Sequence, residues 1–436
     1  HNEEIFRLRK TGSVSELKAH IDGIPKNGTT GISHTRWATH GPPNEANAHP
    51  HVSEKIFLVH DGIIENYQDL KSDLEKDGYV FETDTDSEVI VHLIHQNKKL
   101  KRCSLLEAVS VSLRAIKGTY ALGVISRDEP EKIIAARKGS PLVLAQNDKS
   151  VFMASDQLAL ADEAETFWFL DDEEIAELSL GSIKIFDLGL QTQDRECVKM
   201  KLNGDQALKG GHDHYMKKEI LEQPDSLARV LEGRFKGDEV LSEAFGSDAP
   251  EIFSQVKSVQ IIACGTSFHA GLIAKSWIEE FSNLPCSVDI ASEYLYHRAV
   301  FSNGTLFVSI SQSGETTDTL SCLRDSKRQS FLSRLAICNV PTSSIARESD
   351  LNFSTRAGPE IGVASTKGFT TQLMGMLLLS VALGKYNGLD SELEKQIVSD
   401  IRQIPEYMHD VMEVEEDVIR IAQELTGKKS AIFLGK

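Results

Sequence analysis

The chain has few of the features that mark secreted, membrane-spanning or nucleic-acid-binding proteins. Its six cysteines, at 103, 197, 264, 286, 322 and 338, form no Cys-x-x-Cys pair and no metal-ligand spacing. Scattered thiols exclude a disulfide scaffold and fit a reducing cytoplasm. The longest apolar run, Leu373 to Leu383, is too short to span a bilayer. No secretory signal is visible. Basic residues are scarce, with 47 Lys and Arg against 65 Asp and Glu and a net charge of -18. That balance argues against nucleic acid or an anionic membrane as partner. A local anion site remains open, because backbone N–H groups can build one.

What is present is ordinary for a soluble globular chain, at 40% hydrophobic and 26% charged. Its 436 residues allow about three domains of roughly 150 residues each. The most informative stretch is 306–320. The apolar run Leu306 to Ile310 stops at Ser311, Gln312, Ser313, Gly314 and Thr316, and an amphipathic segment follows. This pattern predicts a buried strand, a tight polar turn and a helix start. The unpaired N–H groups and partial positive charge of a helix start suit a phosphate. With no basic cluster in the turn, the expected ligand is a small phosphorylated metabolite.

The first half predicts an α+β sandwich with two helices, Asn66 to Asp77 and Asp86 to Lys99. Asp86 is expected as an N-cap, with Val89, Ile90, Leu93 and Ile94 as the apolar stripe. Ile56 to His60, Tyr120 to Ser126 and Lys132 to Ala136 predict strands, and Asp61-Gly62 predicts a turn. Glycines 204, 210 and 211 and Pro224 predict a linker over 204–224 that enters a helix near Tyr215. From 252 onward, strands and helices alternate. Strands are expected at 259–263, 287–290, 306–310, 334–338 and near 351–355. Helices are expected at 267–282, near 292–298, and at 316–329, 343–348 and 365–384. Such alternation means a parallel sheet covered on both faces. The chain begins at His1, without Met. Its tail, Ser430 to Gly435, repeats the serine–apolar–glycine pattern of Ser258 to Gly265 and predicts a strand. Both ends are therefore expected to be cuts inside structural units.

Three turns in the second half could converge on one ligand: Gly265-Thr266-Ser267, the 311–316 turn, and Val363 to Lys367. Any one of them alone is also an ordinary capped helix start. Lys367 could counter a phosphate charge. In the first half, residues 31–51 are dense in His34, Arg36, Trp37, Thr39, His40, Asn47, His49 and His51. Four histidines raise the question of metal, but no carboxylate or cysteine completes a compact site. Arg36, with Trp37 and Thr39, suits a carboxylate, and Asp86 could hold an ammonium group. Together they would grip an amino acid; the bland alternative is a polar loop beside a capping Asp.

The stretches 31–51 (GISHTRWATHGPPNEANAHPH), 59–66 (VHDGIIEN), 85–92 (TDSEVIVH), 214–224 (HYMKKEILEQP), 262–267 (IACGTS), 309–319 (SISQSGETTDT) and 360–372 (EIGVASTKGFTTQ), in this order, resemble the isomerising glutamine–fructose-6-phosphate aminotransferases. The resemblance implies an N-terminal-nucleophile hydrolase-like glutaminase domain over 1–203, of the class II glutamine amidotransferases. After the 204–224 linker it implies an α/β sugar isomerase (SIS) domain over 225–390. Residues 391–436 would be connecting helices and the first strand of a second SIS domain. It also implies that Arg36, Trp37, Thr39, His40, Gly62 and Asp86 bind L-glutamine, with Trp37 gating ammonia passage. Thr266, Ser267, Ser311, Gln312, Ser313, Thr316, Val363, Ser365 and Lys367 would surround fructose 6-phosphate. Ammonia from glutamine would replace the sugar carbonyl oxygen and give glucosamine 6-phosphate, the first step of the hexosamine pathway. No metal and no organic cofactor are implied. The implied setting is a cytoplasmic homodimer with no nucleic acid or membrane partner.

The chain departs from the family at three places. The family's nucleophile is an N-terminal cysteine, whereas residue 1 is His and the first cysteine is Cys103. The second isomerase domain, with its acid–base residues, would lie beyond Gly435. The oxyanion-hole positions read Asp61 and Gly62, where the family has Asn before the glycine. An ionised carboxylate can only accept hydrogen bonds, so it cannot donate to a developing oxyanion; a protonated Asp61 could. The expectation is a fragment without glutaminase or synthase activity of its own. The alternatives are a phosphosugar-binding regulatory protein with a SIS domain and another class II amidotransferase.

Overall fold

The computed structural model describes residues 5–22, 28–200, 208–296 and 300–432. Its contacts divide the chain into two units, His1–Gly204 and Asp205–Lys436.

In the first unit, α1 (Val14–Ile21) precedes a hairpin of β1 (His51–Ser53) and β2 (Ile56–Ile64). Then come α2 (Tyr67–Lys76), α3 (Ser87–Lys101) and α4 (Leu105–Leu113). The strands β3 (Gly118–Ser126), β4 (Glu129–Lys138), β5 (Val143–Gln146), β6 (Val151–Ala154) and β7 (Thr166–Phe169) follow. The unit closes with β8 (Glu174–Ser179), β9 (Ser182–Asp187), β10 (Thr192–Gln193) and β11 (Val198–Lys199). The strands build two sheets, ordered β1-β2-β3-β4-β8-β9-β10 and β11-β7-β5-β6. Alternation along β3 sets the layers. Tyr120, Leu122 and Val124 pack with Ile90 and Ile94 of α3 and Val109 of α4. Ala121 turns the other way, into a core with Leu142 and Leu144.

Two expectations change here. The turn at Asp61-Gly62 is absent: β2 runs straight through, pairing Asp61 with Ala121 and Gly62 with Tyr120. Gly62 sits at φ +139, and a Cβ there would lie 2.2 Å from the Thr119 carbonyl oxygen. The glycine therefore permits a close strand approach rather than a reversal. Helices α1 and α4 are additional to the two expected. Each opens on a capping box, Ser13 with Glu16 and Ser104 with Glu107, a signature written in the sequence as Ser-x-x-Glu.

The second unit begins with α5 (Tyr215–Leu221) and α6 (Gln223–Leu231), so the expected linker is helical from Tyr215 onward. Pro224 marks the first turn of α6, where its missing N–H breaks no helical bond; residues 201–207 of that linker lie outside the described residues. The short hairpin β12 (Phe235–Lys236) and β13 (Glu239–Val240) and the helix α7 (Ala249–Phe253) come next. A regular alternation then runs through β14 (Ser258–Ala263), α8 (Gly265–Ser282), β15 (Cys286–Ile290), α9 (Ala291–Tyr294) and β16 (Thr305–Ser311). It continues as α10 (Thr317–Ser326), β17 (Ser333–Cys338), α11 (Ser344–Glu348), β18 (Leu351–Ser354) and α12 (Lys367–Gly384), then α13 (Ser391–Met412) and α14 (Glu415–Leu425). The helix expected near 292–298 is thus short, and 297–299 lie outside the described residues. The expected tail strand is not formed over 430–432, and 433–436 also lie outside them.

The five strands β15-β14-β16-β17-β18 pair in parallel throughout. Both faces are covered. Val259, Ile261 and Ala263 of β14 face the core shared with α8 and α12. Ile262 faces the core shared with α9, α10 and α11. The order reverses between β14 and β16: the chain leaves β14 toward β15, then returns to pair β16 on the other side. Ligands of open α/β sheets sit beyond the strand ends at such a switch point.

Candidate functional site

The first unit carries a cavity of about 250 Å³. It is lined by Arg36, Trp37 and Thr39 from the 31–51 stretch, by Asp61 and Gly62 of β2, and by Asp86 at the start of α3. Asp86 is buried at 3% exposure. It occupies the N-cap position, but its side chain does not cap the helix. Instead Oδ2 accepts a hydrogen bond of 2.8 Å from the Ile64 N–H, which ties α3 to β2. Its other oxygen lies 3.8 Å from Nδ1 of His40. His40 thus stands beside Asp86 rather than in the lining. Arg36 donates to the carbonyls of His40, Gly41 (3.2 Å) and Pro42 (3.1 Å), so it braces its own loop at the cavity wall. Trp37 is 79% exposed, with its indole at the surface. Asp61 is exposed, and Gly62 beside it brings backbone to the rim.

Histidines form the floor. Burial lowers the His60 pKa, and the neutral ring sits 2.8 Å from Ser87 Oγ and 3.4 Å from the Thr119 carbonyl. A carbonyl can only accept, so Nε2 carries the proton and Nδ1 accepts from Ser87. His34, His49 and His51 stack edge to face, with ring centroids 4.2 and 4.5 Å apart. Burial pushes His51 down to about 3 and holds His49 lower still. Among the described residues no cluster of His, Cys, Asp or Glu is arranged to hold a metal.

In the second unit, the ends of β14 and β16 lie side by side, with Ala263 paired to Ile310. Gly265, Thr266 and Ser267, which form the first turn of α8 rather than a separate turn, therefore stand beside the 311–316 turn at one edge of the sheet. Ser311 Oγ accepts from the Gly314 N–H at 3.0 Å and lies 3.0 Å from Thr316 Oγ1. Ser313 Oγ accepts from the Glu315 N–H at 3.2 Å. Glu315 in turn accepts from the Ser344 N–H at 2.8 Å, which fastens the turn to α11. Gly314 is required by space and conformation: φ is +69, and a Cβ would fall 2.0 Å from Ser343 Oγ and 2.6 Å from Cys338 Sγ. Thr316, the residue before α10, makes no side-chain cap. The first N–H groups of α10 are thus open to an anion.

The third turn is built differently. Glu360 accepts from the N–H groups of Thr366 (2.8 Å) and Gly368 (2.9 Å) and from Ser365 Oγ (2.9 Å). That carboxylate already occupies the positive end of α12. Lys367 is 2% exposed and pairs with Glu222 at 2.5 Å, so its charge is spent within the fold. The first turn of α12 still reaches the second turn, since a Cβ on Gly368 would lie 3.0 Å from Gln312 Cγ. Val363 is 94% exposed.

Two family models match this chain: a glutamine amidotransferase domain over residues 34–162 and a SIS domain over 252–382. The glutamine–fructose-6-phosphate aminotransferase [isomerizing] of Pseudomonas putida is 46% identical over all of this chain and 71% of its own length. That of Pseudomonas syringae pv. tomato is 47% identical over all of this chain and 72% of its own. The chain belongs to the isomerising glutamine–fructose-6-phosphate aminotransferase family. The solved C-terminal domain of the Francisella tularensis glucosamine-fructose-6-phosphate aminotransferase is 42% identical. It matches with a TM-score of 0.51, covering 52% of this chain and 64% of that one.

The aminotransferase framework leaves some residues that sequence reasoning passed over. His60, Thr85, Ser87, Thr119 and Ser140 line the first cavity, beside His34 and His49 of the histidine-dense stretch. His60 and Ser87 flank Asp61 and Asp86, so adjacency to those candidates was a usable signal. Thr119 carries none, because strand pairing with Ile63 brings it in, and neither does Ser140, which lies in the bend after β4.

Proposed function

We propose that the first unit binds L-glutamine and the second binds fructose 6-phosphate, in service of the family's reaction. That reaction is L-glutamine + D-fructose 6-phosphate = D-glucosamine 6-phosphate + L-glutamate. The observation that carries the reading is one cavity uniting Arg36, Trp37, Thr39, Gly62 and Asp86. The open start of α10 beside Ser311, Ser313 and Thr316 supports the phosphate end. In this reading the free oxygen of Asp86 takes the α-ammonium, and Arg36 takes the α-carboxylate with its remaining N–H groups. Thr266, Ser267 and Gln312 hydrogen-bond the sugar, and Val363 and Ser365 wall it. Lys367 acts from behind, through Glu222. A cytoplasmic homodimer belongs to the same reading; six free cysteines support the compartment, and the family resemblance supports the assembly. No helix among the described residues is long and apolar enough to cross a membrane.

Among the described residues, no cysteine lines the proposed glutamine cavity. The 436-residue chain is therefore expected to bind glutamine without hydrolysing it. Isothermal titration with glutamine, paired with a glutamate-release assay, tests this. Absence of binding sinks the site assignment, and glutamate release would show that a nucleophile acts there. A stand-alone phosphosugar sensor has less support, since the relatives matching the whole chain are named for the aminotransferase.

A further inference from the structure

The loop that carries Val363 and Ser365 is held from one side by a single helix pair. Ser226 Oγ of α6 donates to the Ala357 carbonyl at 3.3 Å. Arg229 donates to the carbonyls of Arg356 and Ala357, both at 3.3 Å. Glu222, between α5 and α6, takes Lys367. Glu219 on α5 is buried as well, at 2% exposure. Its Oε1 accepts from the N–H groups of Ile361 at 2.6 Å and Gly362 at 3.0 Å, and Oε2 lies 3.2 Å from the latter. A buried carboxylate accepting backbone N–H groups is a strong, directional anchor. The bonds sit one residue from Val363 and three from Ser365. The hydrogen bonds of Glu219 go to Ile361 and Gly362, outside the 311–316 turn.

We propose that Glu219 is a positioning residue for the sugar-phosphate site. It fixes the backbone at Ile361 and Gly362, and so sets where Val363 and Ser365 stand before ligand arrives. The inference rests on the fructose 6-phosphate reading given above. Gly362 belongs to the same device, because a Cβ there would lie 2.5 Å from Glu219 Oε2. No larger residue fits while the carboxylate is in place.

The test is fructose 6-phosphate titration of the full 436-residue chain, with hydrogen exchange at the Ile361 and Gly362 amides. Glu219→Ala should weaken binding about tenfold or more and speed exchange at both amides. Glu219→Gln keeps an acceptor oxygen and should stay within about threefold of the unmodified chain. Gly362→Ala alone should weaken binding about tenfold, yet add less than about twofold in the Glu219→Ala background. If Glu219→Ala does not fold, the Glu219→Gln and Gly362→Ala chains still decide. Binding by Gly362→Ala at the unmodified level would overturn the inference while leaving the site reading intact. So would unchanged binding by Glu219→Ala. No binding by the unmodified chain overturns the site reading, and this inference with it.

Discussion

Asp61 places a carboxylate at the rim of the first unit's cavity, where glutamine is proposed to bind, beside the backbone of Gly62. An ionised carboxylate repels a second negative charge by about 1 kcal/mol at 4 Å in water-like surroundings. The glutamine side chain is neutral and that of glutamate is not. Asp61→Asn should therefore tighten glutamate binding about fivefold and change glutamine binding less. Competitive titration of both amino acids measures it; equal shifts for the two would refute the charge argument. His51 makes a different residue-scale prediction. The unfolded chain protonates it near 6.5, whereas burial holds the folded ring down to about 3. Between those values the unfolded state binds the extra proton, so stability falls as pH drops. The contribution is complete above pH 6.5 and declines by about 1.4 kcal/mol per pH unit below it. Urea unfolding at pH 7 and pH 5 should show the loss, and His51→Gln should reduce the slope. His51 was legible as part of a histidine-rich stretch. Its stacking against His49 was not, because ring orientation depends on the strand that buries it.

β16 is the element that carries the proposed sugar site. All seven of its residues are buried, and Phe307 packs against Phe331 at 5.2 Å. Phe307→Ala should cost about 3–5 kcal/mol by leaving a cavity that the sheet cannot close. Denaturant unfolding of the second unit reads it, and a loss under about 1 kcal/mol would contradict the packing described. The strand was legible from its apolar run, and the helix after it from its amphipathic spacing. Asp61-Gly62 was misleading for a local reason, since a turn dipeptide and a close-packed strand dipeptide are spelled alike. Only the pairing with Ala121 and Tyr120 separates them. Glu219 was not legible at all. Its partner lies 142 residues away, and nothing in a helix sequence says which backbone it will meet.

The two units have separate cores, one around β2, β3, α3 and α4, the other around the parallel sheet and α12. Ligands should stabilise them selectively. Glutamine should raise the melting of the first unit and fructose 6-phosphate that of the second, each by about 2.7 kcal/mol at a hundredfold excess over Kd. Differential scanning calorimetry with each ligand in turn measures this; a shift of both transitions by one ligand would contradict the site assignment. At this scale the sequence by itself determined the alternation of strand and helix, the polar turns that interrupt it, and the family. Those are properties of local pattern, in which a few neighbouring residues carry the signal. Tertiary structure decided which turns share one edge of the sheet. The strand order places the ends of β14 and β16 together, while Glu360 and Glu222 occupy the charges of the third turn. It also decided that Asp86 anchors a strand rather than capping its helix. The reason is the same in each case: these contacts join groups far apart along the chain, and only packing brings them within hydrogen-bond range.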